Sequence, residues 1–270
     1  MPHLPPPHGL VWAHATNSVS KLSAALADPI ITAIEADVML GYTTGTEEKR
    51  QQPITSHPPH LLSDLSVSSF MHELKRSKTL RHAKLDFKQM EAVPPVLQLL
   101  KEVCPLSHHE DAVAFLNADI LPGPGRRGQP VPVPADRFIE SCLDQVEGMR
   151  GGDGIRFAFS LGYRVRYESG ESYSADDALS MSEVVLKHNL LSRSAGVVLA
   201  LNARLLALKP DVFDSFLAAF PGTQILAWTG AGEPPIPQQE IESIKHHFFN
   251  METRIGFDCD IEKQDSSIKI

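Results

Sequence analysis

Acidic, basic and amide side chains recur two residues apart inside otherwise apolar runs. Glu35 and Asp37 lie in AIEADVML, Lys84, Asp86 and Lys88 in AKLDFK, and Asn117 and Asp119 in FLNADI. A spacing of two places side chains on one face of a β-strand. Carboxylates sharing an inward face repel each other and lose hydration unless a cation lies between them. Glu35, Asp37 and Asp86 therefore read as an oxygen-ligand set for a hard divalent ion, Mg²⁺ or Ca²⁺. Lys84 or Lys88, on the same face as Asp86, would neutralise a phosphate held by that ion. Asn117, at the same end of its own run, joins the candidates for binding substrate. The same residues allow a second arrangement, with the lysines and carboxylates paired as buried salt bridges.

His14, in VWAHATNS, and His57, in ITSHPP, are the candidate proton-transfer pair. In-line displacement at a phosphodiester needs one group to take a proton from the attacking oxygen and another to protonate the leaving oxygen. Histidine suits both tasks because its charge changes near neutral pH. Trp228, in ILAWTG, closes an apolar run, where an indole either walls a pocket against an apolar or sugar portion of substrate or packs the rim. Arg126 and Arg127, in GPGRRGQP, read as a solvated loop, with anion binding as the alternative.

These residues need a scaffold, and the chain supplies an alternation of short apolar runs with helical segments. Strands are expected at 10–15, 33–40, 83–87, 113–120, 155–161, 196–201, 224–228 and 254–258, with helices between them near 19–27, 65–75, 89–101, 135–147, 175–187, 210–219 and 238–248. Ser18 and Asp64 are the expected caps of the first two helices, and Pro210 opens the sixth. Eight strands at a repeat of roughly 30 to 35 residues predict a single α/β domain, a (β/α)8 TIM barrel, over 9–260 with tails at 1–8 and 261–270. Most of the polar candidates then fall toward the C-terminal ends of strands, where barrels build sites. The Pro- and Gly-rich loops at 122–134 and 230–237 follow strands and belong on that rim, whereas 148–154 precedes one and belongs at the opposite end.

Composition narrows the function. The 270 residues hold 25 Lys and Arg against 33 Asp and Glu, a net charge of −8, which disfavours a basic nucleic-acid-binding face. No window approaches the roughly 18 apolar residues of a membrane span, and MPHLPPPHGLVW has neither a basic nor an apolar export region. Cys104, Cys142 and Cys259 show no C-x-x-C spacing, so neither a disulfide scaffold nor a cysteine-built zinc site is expected. A cytoplasmic setting is expected, with secretion as the alternative if a signal has been trimmed.

Taken in order, GLVWAHATNS, AIEADVML, PITSHPP, KLDFK, FLNADILPGP and ILAWTG resemble the menorin family, over about residues 9–260. That family in turn is similar to the phospholipase-C-like and glycerophosphodiester phosphodiesterases, TIM barrels with a His, a Glu-x-Asp, a second His and a divalent cation. The resemblance implies His14 and His57 as the acid/base pair, Glu35, Asp37 and Asp86 as metal ligands, Lys84 as a phosphate contact and Trp228 as an aromatic near the substrate. It implies a metal-dependent phosphodiesterase acting on a glycerophosphodiester or a lysophospholipid-like ligand. Two departures stand out. Ala15 follows His14 where the wider superfamily has Arg, and Lys84 precedes Asp86 where the superfamily has the acid first. They leave open a menorin-like barrel that binds or scaffolds without turnover, with a role in development or cell maintenance. A metal-dependent aldolase or sugar isomerase is the weaker enzymatic rival.

Overall fold

The computed structural model describes residues 4–45, 50–103, 109, 111–146, 156–230 and 232–262. In chain order its strands are β1 (Trp12–Ala13), β2 (Ala33–Thr43), β3 (Gln52–Thr55), β4 (Leu62–Ser63), β5 (His82–Phe87), β6 (Val113–Pro122), β7 (Arg156–Arg164), β8 (Val197–Asn202), β9 (Gln224–Trp228) and β10 (Ile255–Asp258). Eight of them run parallel in the order β1-β2-β5-β6-β7-β8-β9-β10, a nearly closed barrel. The seam between β1 and β10 is spanned by a hydrogen bond between His14 and Asp258. At its base Pro7 packs so closely on Gly256 that a Cβ there would lie 2.5 Å from the Pro7 carbonyl oxygen.

The helices are α1 (Val19–Ala27), α2 (Val67–Arg76), α3 (Val93–Val103), α4 (Ala135–Val146), α5 (Ala175–Lys187), α6 (Leu190–Arg193), α7 (Ala203–Leu208), α8 (Asp214–Ala219) and α9 (Gln238–His247). In α2 the apolar residues Val67, Phe70, Met71 and Leu74 fall on one stripe and are all buried, each contributing about 1.5–3 kcal/mol over exposure. On β2 the alternation divides the strand cleanly. Ile34, Ala36 and Val38 join the main apolar core, shared with helix residues such as Phe70 and Val96, while Glu35 and Asp37 take the other face. A second apolar cluster of Leu4, Val113, Phe115, Ala158, Val198 and Leu226 fills the barrel's base, so the segment from Leu4 is packed into the fold.

The barrel is the architecture expected from the sequence, and every expected strand has a counterpart within a few residues. Apart from the added short helices α6 and α7 and a 3-10 turn at Pro210–Phe213 that delays α8, three features differ. β2 runs past the barrel and carries β3 antiparallel and β4 parallel on its overhang, two strands too short to show a period. Asp64 does not cap α2; Ser66 does, and the Asp64 carboxylate instead accepts the Val19 N–H at the start of α1, 3.1 Å away. Arg127 lies exposed in its loop as expected but is not free there, pairing with Glu171 and, at 2.7 Å, with the buried Asp177. The 148–154 loop and Cys104 lie outside the described residues.

Candidate active site

Strand register sets the height of each polar side chain in the barrel. Asp37 pairs across with Asp86, Asp86 with Asn117 and Asn117 with Ser160, so four polar residues form one ring. One layer deeper, Glu35 is level with Lys84 and Phe115. Asp119 stands one layer above Asn117, opposite Gly162, where a Cβ would lie 2.6 Å from its Oδ1. The missing side chain at Gly162 is what gives this carboxylate room.

These layers open into a cavity of about 400 Å³ lined by His14, Asp37, His57, Lys84, Asp86, Asn117 and Trp228, together with Ala15, Asn17, Lys21, Lys88, Asp119, Ala200 and Gly230. Of the residues read from the sequence as ion ligands, proton-transfer groups or substrate contacts, all but Glu35 thus meet in one space. Glu35 does not line it but is buried beneath, its Oε2 accepting the Ala15 N–H at 2.5 Å and lying 3.6 Å from His14 Nδ1. Oxygens of Glu35, Asp37 and Asp86 lie within 4.8 Å of one another, close enough to share a cation. In this structure Lys88 bridges two of them, with Nζ 2.9 Å from Asp37 Oδ1 and 2.7 Å from Asp86 Oδ2.

Both histidines are oriented through Nδ1. The His14 Nδ1–H donates to Asp258 Oδ2 at 2.8 Å, and the His57 Nδ1–H donates to the Pro58 carbonyl at 2.7 Å, which turns each Nε2 away from its anchor. His14 rides on a strained turn. Ala15 adopts a left-handed backbone conformation with φ 49°, a state costing a non-glycine residue on the order of 1 kcal/mol. Three bonds hold it there: its N–H to Glu35, and its carbonyl accepting from Asn17 N–H at 2.8 Å and from Lys21 Nζ at 2.9 Å. Asn17 in turn donates to Asp37 Oδ2 at 2.6 Å and accepts the Asp37 N–H at 3.0 Å, tying the β1–α1 turn to the acid ring.

The electrostatics follow from burial and pairing. Burial opposes charge on His14, but the Asp258 hydrogen bond and the charges of Glu35 and Asp258 outweigh it and raise the imidazole pKa. Burial lifts Glu35 above the ordinary carboxylate range, partly offset by Lys84 and His14. Burial also works against ionised Asp86 and Asp258, yet Lys88 and Lys84 hold the first down, and the His14 bond and Lys84 the second. Loss of hydration and the nearby charge of Asp86 push Asp119 up to about 7. Lys84 sits at the cavity floor, 3.8 Å from Asp258 Oδ2 and 5.0 Å from the Trp12 ring centre.

Asn17 and Asp258 were not singled out from the sequence, whereas the Lys88 bridge is the salt-bridge arrangement the sequence left open. Asp258 carried a usable signal, because it is a polar residue closing the last apolar run, in the pattern of Asp37 and Asp119. Asn17 carried none, since its importance comes from a turn that folds back onto β2.

Eight parallel strands with helices between them define a TIM-like barrel protein, and its polar, acid-rich cavity lies at the C-terminal ends of the strands, the end at which barrels of this class build sites. The chain belongs to the menorin family, since residues 8–258 match the menorin N-terminal domain. It is similar to Protein FAM151B of Homo sapiens, 34% identical over 134 residues, which is 50% of this chain and 45% of that protein. The match thus spans just under half the length of the human relative. Among the described residues no helix is long and apolar enough to cross a membrane.

Proposed function

We propose that this barrel is a metal-dependent phosphodiesterase acting on a glycerophosphodiester or a lysophospholipid-like diester. The observation carrying this reading is convergence: residues from β2, β5, β6 and β9 and from the loops after β1 and β3, remote in sequence, line one cavity over a carboxylate cluster. The donor set, all carboxylate oxygens, fits a hard divalent cation such as Mg²⁺ or Ca²⁺. Held by Glu35, Asp37 and Asp86, such an ion would supply positive charge where negative charge builds on a phosphate oxygen.

The chain's own residues account for the rest. Lys84, Asn117 and the Trp228 indole offer a cation, an amide and an apolar wall to a phosphate and its organic arm. His14, whose protonated form Asp258 stabilises, takes the proton from the attacking hydroxyl of water or of the substrate itself. His57 gives a proton to the departing alcohol oxygen as its bond to phosphorus breaks. The alternative, a barrel that binds without turnover, draws on the Lys88 bridge, which satisfies Asp37 and Asp86 without an ion.

The test is a panel of glycerophosphodiesters, lysophospholipids and an activated model diester, with Mg²⁺, Ca²⁺, Mn²⁺ or chelator. Ion-dependent turnover lost in a His14→Ala/His57→Ala variant supports the phosphodiesterase. Ion binding by the folded protein with no turnover of any diester favours the binding barrel.

A further inference from the structure

β5 and the residue after it carry two lysines on one face, Lys84 and Lys88, with Asp86 between them, and the structure uses them differently. Lys84 keeps its ammonium on the cavity floor, 3.8 Å from Asp258 and over the Trp12 ring. Lys88 places its ammonium between Asp37 and Asp86, within 2.9 Å of both. Those are two of the three carboxylates that converge within 4.8 Å. The root of the side chain is fixed by register, because the Lys88 N–H bonds the Val38 carbonyl at 3.0 Å and so holds β5's end against β2. An ammonium is a compact cation with three donors on a flexible four-carbon stem, able both to bridge two carboxylates and to leave them.

A divalent ion bound to these oxygens sits about 2.0–2.6 Å from them. The ammonium already holds one oxygen of each aspartate, so the two cations contend for the same charge and the same space. We propose that Lys88 is a built-in competitor for the ion site. Its ammonium braces Asp37 and Asp86 while no ion is bound, is expelled into the cavity when an ion enters, and there joins Lys84 as a second lysine facing substrate phosphate. This rests on the ion reading above and adds an order to it: the ion first, the Lys88 contact second. Ion and phosphate then strengthen each other's binding, since each favours the displaced lysine.

Calorimetric titration of the chelator-treated protein with Mg²⁺, Ca²⁺ and Mn²⁺ reads the competition directly. Lys88→Gln keeps an amide that can hydrogen-bond the aspartates but removes the competing charge. It should bind the ion roughly tenfold more tightly than wild type, and Lys84→Gln, which removes a charge near Glu35 and Asp86 but leaves the Lys88 bridge in place, should gain clearly less. Inorganic phosphate should tighten ion binding in wild type and do so less in Lys88→Gln. If wild type binds an ion and Lys88→Gln binds it no more tightly, the competitor role is overturned while the ion reading stands. If neither binds an ion, the ion reading falls and takes this inference with it. Should Lys88→Gln fail to fold, acetylation footprinting of wild type reads the same event. Saturating ion should raise labelling at Lys88 and leave Lys84 unchanged, and an unchanged Lys88 would overturn the proposal.

Discussion

His82 gives the most quantitative test of the fold's electrostatics. It opens β5 at the barrel's base, is 4% exposed, and uses Nδ1 to accept the Val113 N–H at 3.2 Å. That bond requires a neutral ring with Nδ1 unprotonated, and burial with the nearby Arg156 charge lowers the pKa from 6.5 to about 4. In the unfolded chain the ring takes up a proton near pH 6.5, whereas in the folded protein it resists until about pH 4. Acid therefore favours the unfolded state. Stability is unaffected above pH 6.5, falls by up to about 1.4 kcal/mol per pH unit below it, and the loss levels off near pH 4. The gap of about 2.5 pH units corresponds to a total on the order of 3 kcal/mol. His82→Asn removes the titration while its Oδ1 can accept the Val113 N–H. Urea unfolding of both proteins at half-unit steps from pH 7.5 to 4 is the assay. The difference in unfolding free energy should move in the variant's favour by about 3 kcal/mol across that range. A difference that stays constant with pH would refute the buried neutral imidazole.

Other positions yield shorter tests. Gly162→Ala puts a Cβ 2.6 Å from Asp119 Oδ1 and 3.1 Å from the Ala200 carbonyl oxygen. It should cost about 1–3 kcal/mol by overpacking, read as a lowered melting temperature. Asp258→Asn removes the carboxylate that accepts from His14 at 2.8 Å, so the His14 titration midpoint in an NMR pH series should shift downward. Arg127→Ala strips the buried Asp177 of its cation but leaves the capping box with Ser174, so α5 should survive with a loss of about 1–3 kcal/mol in thermal unfolding.

What the sequence made legible was whatever a period or a residue type encodes locally. The inward acids on β2 and β5 could be read because a spacing of two fixes the face, and because two charges on a buried face demand a partner. Their height could not be read. That Asp37, Asp86 and Asn117 lie in one ring depends on register between strands about 50 and 30 residues apart, which no local pattern records. The His14–Asp258 bond joins residues 244 apart across the barrel's seam, so each was visible as a strand-end polar residue while the pair was not. Asp64 misled for a related reason. It precedes a helix in sequence, but β4 and Ser66 shift the cap by two residues and leave Asp64 facing α1.

Ion-dependent cleavage of a phosphodiester at the His14 and His57 cavity is open to direct measurement. Phosphorus NMR of a glycerophosphodiester incubated with the protein, before and after adding Mg²⁺ or Ca²⁺, addresses it most directly. The diester signal should be lost and a monoester or cyclic-phosphate signal should grow only with the ion present, with no change for His57→Ala. A diester that stays intact in the presence of ion-bound, folded protein, or cleavage that survives both the chelator and loss of His57, would contradict it.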